Sequence, residues 1–572
     1  MVVLQNGNGI RLRELPMLRL HLFCMKMRFV VFRLFVVFWM LGSPAQNLLG
    51  KVVSLCSLHE IVGFEAPKGD SDIRIDDIGF TAEEFVLDTG VNSDSFVFQQ
   101  IYAEALLRGH SYALLGELCS MGHRLSGSDN AERSIQWAVT ELKKYNFDRV
   151  DTQSVMVPRW ERGDAEEGWF SSKVFTDLLK KSNKPTGQNT AELEKRVHGF
   201  QYPVSPFAEW ECESYVEQAL KPAAKYKMPM VALGGSISGD VRAGLVVVTR
   251  KEALDSLGKL GGLRGKIVLL ARPMEESLLN TFRAYGGCVN QRVNGAVWCA
   301  PYGALAVLVR SVSNKCDMHA HTGVTHYDSH VVKIPIAAVP TAVSDVLEYL
   351  ATVDPNLEIS LKLNCRTLPD RPSANVLAQL TGSVKPKQVI AFGGHFDSWD
   401  QGEGAHDDGA GCIHAWEALR ILKAIGYQPK HTLRAVFWIN EENGLRGGEE
   451  YARQSKLKNE LHIAALESDR GGFTPRGFGV DSAWMKHVSH YKSLLDEYGV
   501  GMLEVGGGGA DIGPLKKVWP SIGLVSFIPD SQRYFDVHHA ETDVFSSVNK
   551  RELELGAAAI AAMIYILDQR VD

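Results

Sequence analysis

The sequence predicts an α/β protein in which a mixed, largely parallel sheet is covered by helices, with a β-rich domain inserted into the chain. Three observations support this prediction. From residue 376 onward, short apolar runs alternate with helical stretches, as in parallel sheets covered on both faces. Between about 227 and 370, short apolar runs follow one another with turn residues between them. The chain has 572 residues, too many for one compact core.

The N-terminus carries a leader-like segment. Residues 25–47, MKMRFVVFRLFVVFWMLGSPAQN, contain basic residues, then an apolar run, then small residues. The apolar run at 29–42 is shorter than the roughly 20 residues that span a bilayer and has the length of a signal-peptide core. We therefore expect a signal peptide or leader over 1–45, cleaved near Ala45, and a secreted protein or one in the lumen of the secretory or lysosomal pathway. The alternative is an uncleaved leader that serves as a membrane anchor.

Charge and cysteine content narrow the class of protein. The formal net charge of -6, without a basic run, argues against a nucleic-acid-binding protein. We expect no stable membrane span in the chain. The nine cysteines are scattered, without a CxxC pair or zinc-finger spacing, and their pairing stays open.

Residues 46–225 are predicted to form the N-terminal part of the main domain. Apolar spacing typical of helices is followed by a strand-like segment, and Ser128 or Asp129 is the predicted helix N-cap. Residues 164–225 are charged and irregular, and we expect an inserted helical excursion or a long loop there. The predicted elements are helices over 97–119 and 123–147 and a strand over 150–160.

Residues 226–372 are predicted to form the inserted β-rich domain. Turn residues separate its apolar runs. The segment lacks the clustered acids found further along the chain, so we expect it to be structural or to cover the site. The predicted strands lie at 243–249, 266–271, 304–310 and 334–340.

Residues 373–572 are predicted to form the catalytic part of the main domain. Ligands of such α/β sheets bind beyond the carboxyl ends of the strands. The predicted strands lie at 388–394, 433–439, 462–468 and 521–528, and the predicted helices at 410–426 and 481–499.

Histidines and acids follow four of these strands. A single histidine after a strand is usually a solvated loop residue, but the coincidence at four strand ends favours a metal site. Imidazole and carboxylate ligands suit zinc, and also manganese or cobalt. One ion would not use all of these groups, whereas two ions that share a carboxylate would. The residues at the strand ends and in the glycine-rich loop are His395, Asp407, Asp408, Glu441, Glu442, Asp469, His538 and His539.

The motifs HFDSW, AHDDGAG, NEENG, ESD and HHAETD together resemble those of the two-zinc metallopeptidases of the bacterial leucyl aminopeptidase type. The resemblance extends to RLSGS at 124–128 and RWERG at 159–163, and covers most of residues 95–565 except 164–225. It implies the zinc-peptidase fold, a protease-associated-like domain over 226–372, two zinc ions per chain and a homodimer.

The resemblance also implies a role for each site residue. Glu441 is the expected general base, and Asp407 is the carboxylate shared between the two ions. Asp397 is expected to orient the imidazole of His395, and Asp408 to follow Asp407 through a cis peptide bond. Asp511 and His538 are expected to contact the substrate. The implied metal ligands are His395, Asp407, Glu442, Asp469 and His539.

The implied enzyme is an exopeptidase of carboxypeptidase or dipeptidase type, which hydrolyses small peptides, in particular dipeptides, with a water molecule that two zinc ions activate. An aminopeptidase with the same metal site is the alternative, because the ligands alone do not select which peptide terminus is bound. A non-catalytic binding protein is disfavoured because no ligand is lost. A one-zinc cyclase-like transferase is disfavoured because the full set with Glu441 is retained.

Overall fold

The computed structural model describes residues 93–182 and 225–570, which fall in one compact unit, Gly90–Asp572. The predicted leader and most of the segment 164–225 lie outside the described residues. Within the described ranges, no helix is both long enough and apolar enough to cross a membrane.

The first sheet has eight strands, and its centre is parallel. Its strands are β1 (Arg149–Glu161), β10 (Arg366–Leu380), β11 (Lys385–His395), β12 (His431–Trp438), β13 (Leu461–Glu467), β14 (Pro475–Val480), β15 (Met502–Val505) and β16 (Gly523–Pro529). The strand order is β1-β10-β12-β11-β13-β16-β14-β15. Neighbours among β12, β11, β13 and β16 run parallel, whereas β10 and β14 run antiparallel to the strands of this central group. This mixed, largely parallel sheet confirms the predicted fold class.

Helices cover both faces of the first sheet. Helix α9 (Ala410–Ala424) is buried along most of its length, and its buried Arg420 and Glu417 form an ion pair at 2.8 Å. The predicted helix at 97–119 is interrupted at Gly109, where a Cβ atom would collide with the carbonyl of Ala105. Ser128 caps α3 by accepting a hydrogen bond from the Ala131 amide at 3.1 Å. The helices are α1 (Ser93–Arg108), α2 (Ser111–Ser120), α3 (Asp129–Lys144), α9 (Ala410–Ala424), α10 (Arg446–Leu457), α11 (Ser482–Ser489), α12 (Lys492–Glu497), α13 (Gly513–Val518), α14 (Tyr534–Val537) and α15 (Lys550–Asp568).

A second sheet of eight strands contains the apolar runs predicted for the insert. Its strands are β2 (Glu166–Ser171), β3 (Tyr226–Lys227), β4 (Val231–Ala232), β5 (Gly239–Val248), β6 (Ile267–Leu270), β7 (Ala306–Arg310), β8 (Ile336–Val339) and β9 (Glu358–Leu363). Strand β2 falls in the segment predicted to be irregular. The boundary predicted at 372 falls within β10, and the domain division stays a prediction. The accompanying helices are α4 (Lys173–Ser182), α5 (Lys251–Lys259), α6 (Thr281–Cys288), α7 (Asn290–Cys299) and α8 (Thr341–Val353).

A buried arginine connects the two sheets. Arg162, just after β1, donates to both carboxylate oxygens of Asp400 at 2.8 and 2.5 Å. It also donates to Glu166 in β2 at 2.9 Å and to the carbonyl of Ala232 in β4. Burial would raise the pKa of Asp400, but Arg162 holds it below its ordinary value. The contact fixes the loop after β11 against the second sheet.

Replacing Arg162 with alanine is expected to destabilise the protein by about 3–5 kcal/mol, because Asp400 would remain as a buried, unpaired charge. Arg366→Ala is the matched control, since Arg366 pairs with Glu161 on the exposed surface. We expect the control to cost about 1 kcal/mol or less. Urea unfolding of both variants measures the difference, and equal losses for the two would contradict the role given to Arg162.

Candidate metal centre

The structure brings the predicted histidines and acids together at one edge of the first sheet. His395 is the last residue of β11, Glu441 and Glu442 follow β12, and Asp469 follows β13. His539 lies beyond β16, after α14. The carboxyl ends of neighbouring parallel strands meet at the same edge, so residues far apart in sequence become neighbours.

The carboxylate of Asp407 lies between two histidine–acid pairs. Its Oδ1 is 3.2 Å from His395 Nε2, which is 3.5 Å from Asp469 Oδ1. Its Oδ2 is 3.2 Å from His539 Nε2, which is 3.0 Å from Glu442 Oε2. The two oxygens of one carboxylate therefore face two separate groups of potential ligand atoms.

These residues fit a cation. Burial and the charge of Asp407 raise the pKa of Glu442 to about 7. Burial would lower the pKa of His539, but Glu442 and Asp407 raise it to about 9. Among the described residues, no hydrogen-bond donor reaches the buried Oε1 of Glu442. Acids packed this closely repel one another unless positive charge lies between them, and protons occupy that role when no cation is bound.

Two further acids hold the backbone around Asp407. The carboxylate of Asp408 accepts hydrogen bonds from the amides of His395 and Gly411, each at 3.0 Å. Asp543 accepts from the amides of His406 and Asp407 at 2.7 and 3.1 Å. The Asp407–Asp408 peptide bond is cis, as the resemblance implies.

Asp397 makes different contacts from those expected. The backbone carbonyl of Asp397, and not its carboxylate, lies 2.9 Å from His395 Nδ1. The nearer carboxylate oxygen is 3.9 Å from that nitrogen. The carboxylate instead accepts from the amides of Asn440 and Glu441 at 2.7 and 3.0 Å. The side chain therefore positions the turn that carries the two glutamates, and the main chain orients the imidazole.

Sequence reasoning identified the segment RLSGS without assigning its function. Arg124 is buried and donates to the carbonyls of Phe396, Glu403 and Gly404 at 2.8, 2.6 and 2.8 Å. Ser126 donates to the Asp397 carboxylate at 3.1 Å. This segment therefore fixes the loop between His395 and Asp407. In the sequence, the one indication of a role was that RLSGS belongs to the set of motifs that carries the resemblance.

The two residues predicted to contact the substrate differ in position. His538 lines the cavity beside the acids, and its Nε2 is 3.7 Å from Asp407 Oδ2. Asp511 is fully buried, and its neighbour Ala510 lines the cavity instead. The amide of Asp511 donates to Glu467 at 2.9 Å, which fixes the segment of four glycines at 506–509 to the end of β13. A substrate contact by the Asp511 carboxylate stays a prediction.

The cavity has a volume of about 370 Å³ and is bounded by the edge of the first sheet and by helices and a loop of the predicted insert. The first sheet contributes the histidines and acids described above. The aromatic side chains of α14, Tyr534 and Phe535, form another part of the wall. The predicted insert at 226–372 contributes Phe282, Tyr285, Arg292, Val324 and His326. We expected this part of the chain to be structural or to cover the site.

Comparison with known proteins identifies similar chains. Residues 375–562 match Peptidase family M28. Carboxypeptidase Q from Bos taurus is 30% identical over 494 residues, which cover 85% of this chain and 90% of the relative. A peptidase M28 precursor from Shewanella amazonensis SB2B has a TM-score of 0.70 at 26% identity, covering 84% of this chain and 97% of that one. A zinc aminopeptidase from Bacillus subtilis shares the fold, with a TM-score of 0.52 at 18% identity over 80% of this chain and 94% of that one.

The motif string HFDSWDQGEGAHDDGAG at 395–411 predicts a resemblance to one of these relatives, carboxypeptidase Q, also called plasma glutamate carboxypeptidase. The match over most of both chains confirms this resemblance.

Proposed function

The chain belongs to peptidase family M28, and we propose that it is an exopeptidase that hydrolyses small peptides, in particular dipeptides, with two zinc ions bound at the cavity. The observation that carries this proposal is the position of Asp407, whose two carboxylate oxygens face two separate histidine–acid pairs. A carboxylate in that position can serve two ions, whereas a single ion would leave one pair unused.

Each residue has an assigned part in the proposed site. His395 and Asp469 would hold one zinc ion, His539 and Glu442 the other, and Asp407 would contact both. Bound zinc lowers the pKa of a water molecule and stabilises negative charge that develops on the carbonyl oxygen of the substrate.

Glu441 is the proposed general base. It lines the cavity, and its backbone amide is held by Asp397 at 3.0 Å. Burial, followed by the neighbouring acids Asp469 and Glu442, raises the pKa of its carboxyl group well above the ordinary value. A carboxylate with a raised pKa is suited to take a proton from water and to pass it to the departing amine.

The cavity volume suits a small substrate. About 370 Å³ lies near the lower end of the range for ligand pockets, so a short peptide fits better than a long chain. We also predict that the protein is exported and that it forms a homodimer, as the leader-like segment and the resemblance imply. Detection of the mature protein outside the cell, with cleavage near Ala45, tests the first, and sedimentation of the purified protein tests the second.

Hydrolysis assays test the proposed function. The purified protein is incubated with dipeptides and, separately, with amino-acid anilides, before and after removal of metal by a chelator. We expect hydrolysis of dipeptides that stops on chelation and returns with zinc. Faster release of anilides than of dipeptides would indicate an aminopeptidase. Full activity in the metal-free protein would contradict the proposal.

Zinc affinity is expected to rise with pH. In the metal-free protein, the raised pKa of His539, about 9, means that this ring is protonated at neutral pH, and Glu442, at about 7, is partly protonated. Zinc must displace these protons, so affinity weakens as pH falls below about 9 and weakens further below about 7. Calorimetry in buffers of different ionisation enthalpy measures the proton release. We expect at least about one proton per chain at pH 7, and no release would contradict the ligand assignment.

A further inference from the structure

One side chain in the cavity is not explained by the proposed metal centre. Arg292 lies in α7, is 4% exposed, and lines the same cavity as Asp407 and Glu441. Among the described residues that line this cavity, it is the one arginine or lysine. A buried guanidinium normally has a carboxylate partner, so the surroundings of Arg292 are informative.

The contacts of Arg292 leave part of its guanidinium without an acceptor. Its Nη2 donates to the Tyr285 hydroxyl at 2.8 Å. The central carbon of the guanidinium lies 5.5 Å from the centre of the Tyr285 ring. Its Nη1 is 3.5 Å from the carbonyl of Thr322, at the limit of a hydrogen bond. No acceptor among the described residues reaches its Nε. A buried donor without an acceptor is costly, which favours an additional, negatively charged partner.

The neighbouring histidine does not supply that partner. Arg292 Nη1 is 3.2 Å from His539 Nδ1, and His539 Nε2 faces Asp407 and Glu442. A neutral imidazole that uses Nε2 to bind a cation carries its hydrogen on Nδ1. The carbonyl of Thr322, 3.3 Å away, can accept that hydrogen. The N–H groups of Arg292 Nη1 and His539 Nδ1 then face each other and form no hydrogen bond. Nη1 therefore remains available to a ligand.

We propose that Arg292 binds the free C-terminal carboxylate of a peptide substrate and thereby selects peptides in which one residue follows the scissile bond. This inference rests on the proposed function and adds the residue that recognises the C-terminus of the peptide. A guanidinium binds a carboxylate with two parallel hydrogen bonds, which gives both affinity and orientation.

The position of Arg292 supports this length of substrate. Only the imidazole of His539 separates Arg292 from Asp407, since the ring contacts the first through Nδ1 and the second through Nε2. One extended residue spans about 3.3–3.6 Å. The guanidinium and the acids therefore lie within reach of one short peptide, whose C-terminal carboxylate would contact Arg292 while the scissile bond lies beside the acids.

The test compares a dipeptide with its C-terminal amide, which differs only in the charge of that end. We expect the wild-type protein to prefer the acid, and Arg292→Gln to lower kcat/KM for the acid about 10- to 100-fold, mainly through KM. Hydrolysis of the amide should fall much less than hydrolysis of the acid. Arg292→Lys keeps the charge and should recover part of the preference. Arg283→Gln, at an exposed position of α6, is the matched control and should change kcat/KM for neither substrate.

Binding and metal content separate the outcomes. Calorimetry measures binding of the acid and the amide to Glu441→Gln protein, with and without Arg292→Gln, and zinc is measured in each. Selective loss of binding of the acid with zinc retained supports the proposal, even if no peptide is hydrolysed and the proposed function fails. Equal losses for acid and amide, loss of zinc, or a wild-type protein that does not distinguish the two ligands would overturn it.

Discussion

Glu441→Gln is expected to lower kcat/KM for a dipeptide by at least about 100-fold while the zinc content stays unchanged. Glutamine retains the size and the hydrogen-bonding capacity of glutamate but cannot accept a proton. The carboxylate of Glu441 lies outside the two histidine–acid pairs that contact Asp407, so its loss should leave the proposed ligands in place. Steady-state kinetics and metal analysis of the same preparation measure both effects.

Glu442→Gln is the control for this prediction, because the two residues are adjacent and the substitution is the same. Glu442 Oε2 lies 3.0 Å from His539 Nε2, within the second group of proposed ligands. Its replacement removes an anionic ligand, so zinc content should fall together with the rate. If Glu441→Gln lost zinc while Glu442→Gln retained both zinc and activity, the two roles would be reversed.

Asp407→Asn is expected to weaken the binding of both zinc ions and to have the largest effect on activity of any ligand substitution. The asparagine side chain keeps the shape of aspartate but loses the negative charge that faces both pairs. The loss of zinc affinity should exceed the roughly 10- to 100-fold that removal of an outer hydrogen bond to a metal ligand typically costs. Equilibrium dialysis against zinc buffers provides the measurement.

Asp469→Asn provides the comparison for Asp407→Asn. Among the proposed ligands, all within the described residues, Asp469 groups with His395 and not with His539 or Glu442. Its substitution should therefore weaken the binding of one ion and leave the other ion bound. If the two variants lost zinc to the same extent, Asp407 would have no special position between the two ions.

The strands of the first sheet and the grouping of the candidate ligands could be predicted because their signal is local. The predicted strand at 433–439 differs from β12 by two residues at its start and one at its end. Buried parallel strands consist of continuous apolar runs, and each is followed by a polar residue that the sheet delivers to a common edge. His395, Glu442 and Asp469 therefore come together in the fold as their sequence positions indicate.

Other features could not be predicted because they depend on tertiary contacts. Strand β10 is half-exposed and contains two prolines, so its apolar signal is weak, and it spans the boundary drawn at 372. Asp397 was expected to orient His395 through its carboxylate, but the turn after β11 brings its carbonyl to the ring instead. No local pattern connects Arg292 with His539, because the two residues are 247 positions apart.

Zinc titration of the metal-free protein tests the central claim most directly. Zinc is added in known amounts per chain, and dipeptide hydrolysis and bound metal are measured at each step. The account predicts that activity reaches its maximum only when about two zinc ions are bound per chain, because Asp407 serves both. Full activity with one bound ion, or with none, would contradict the two-metal mechanism.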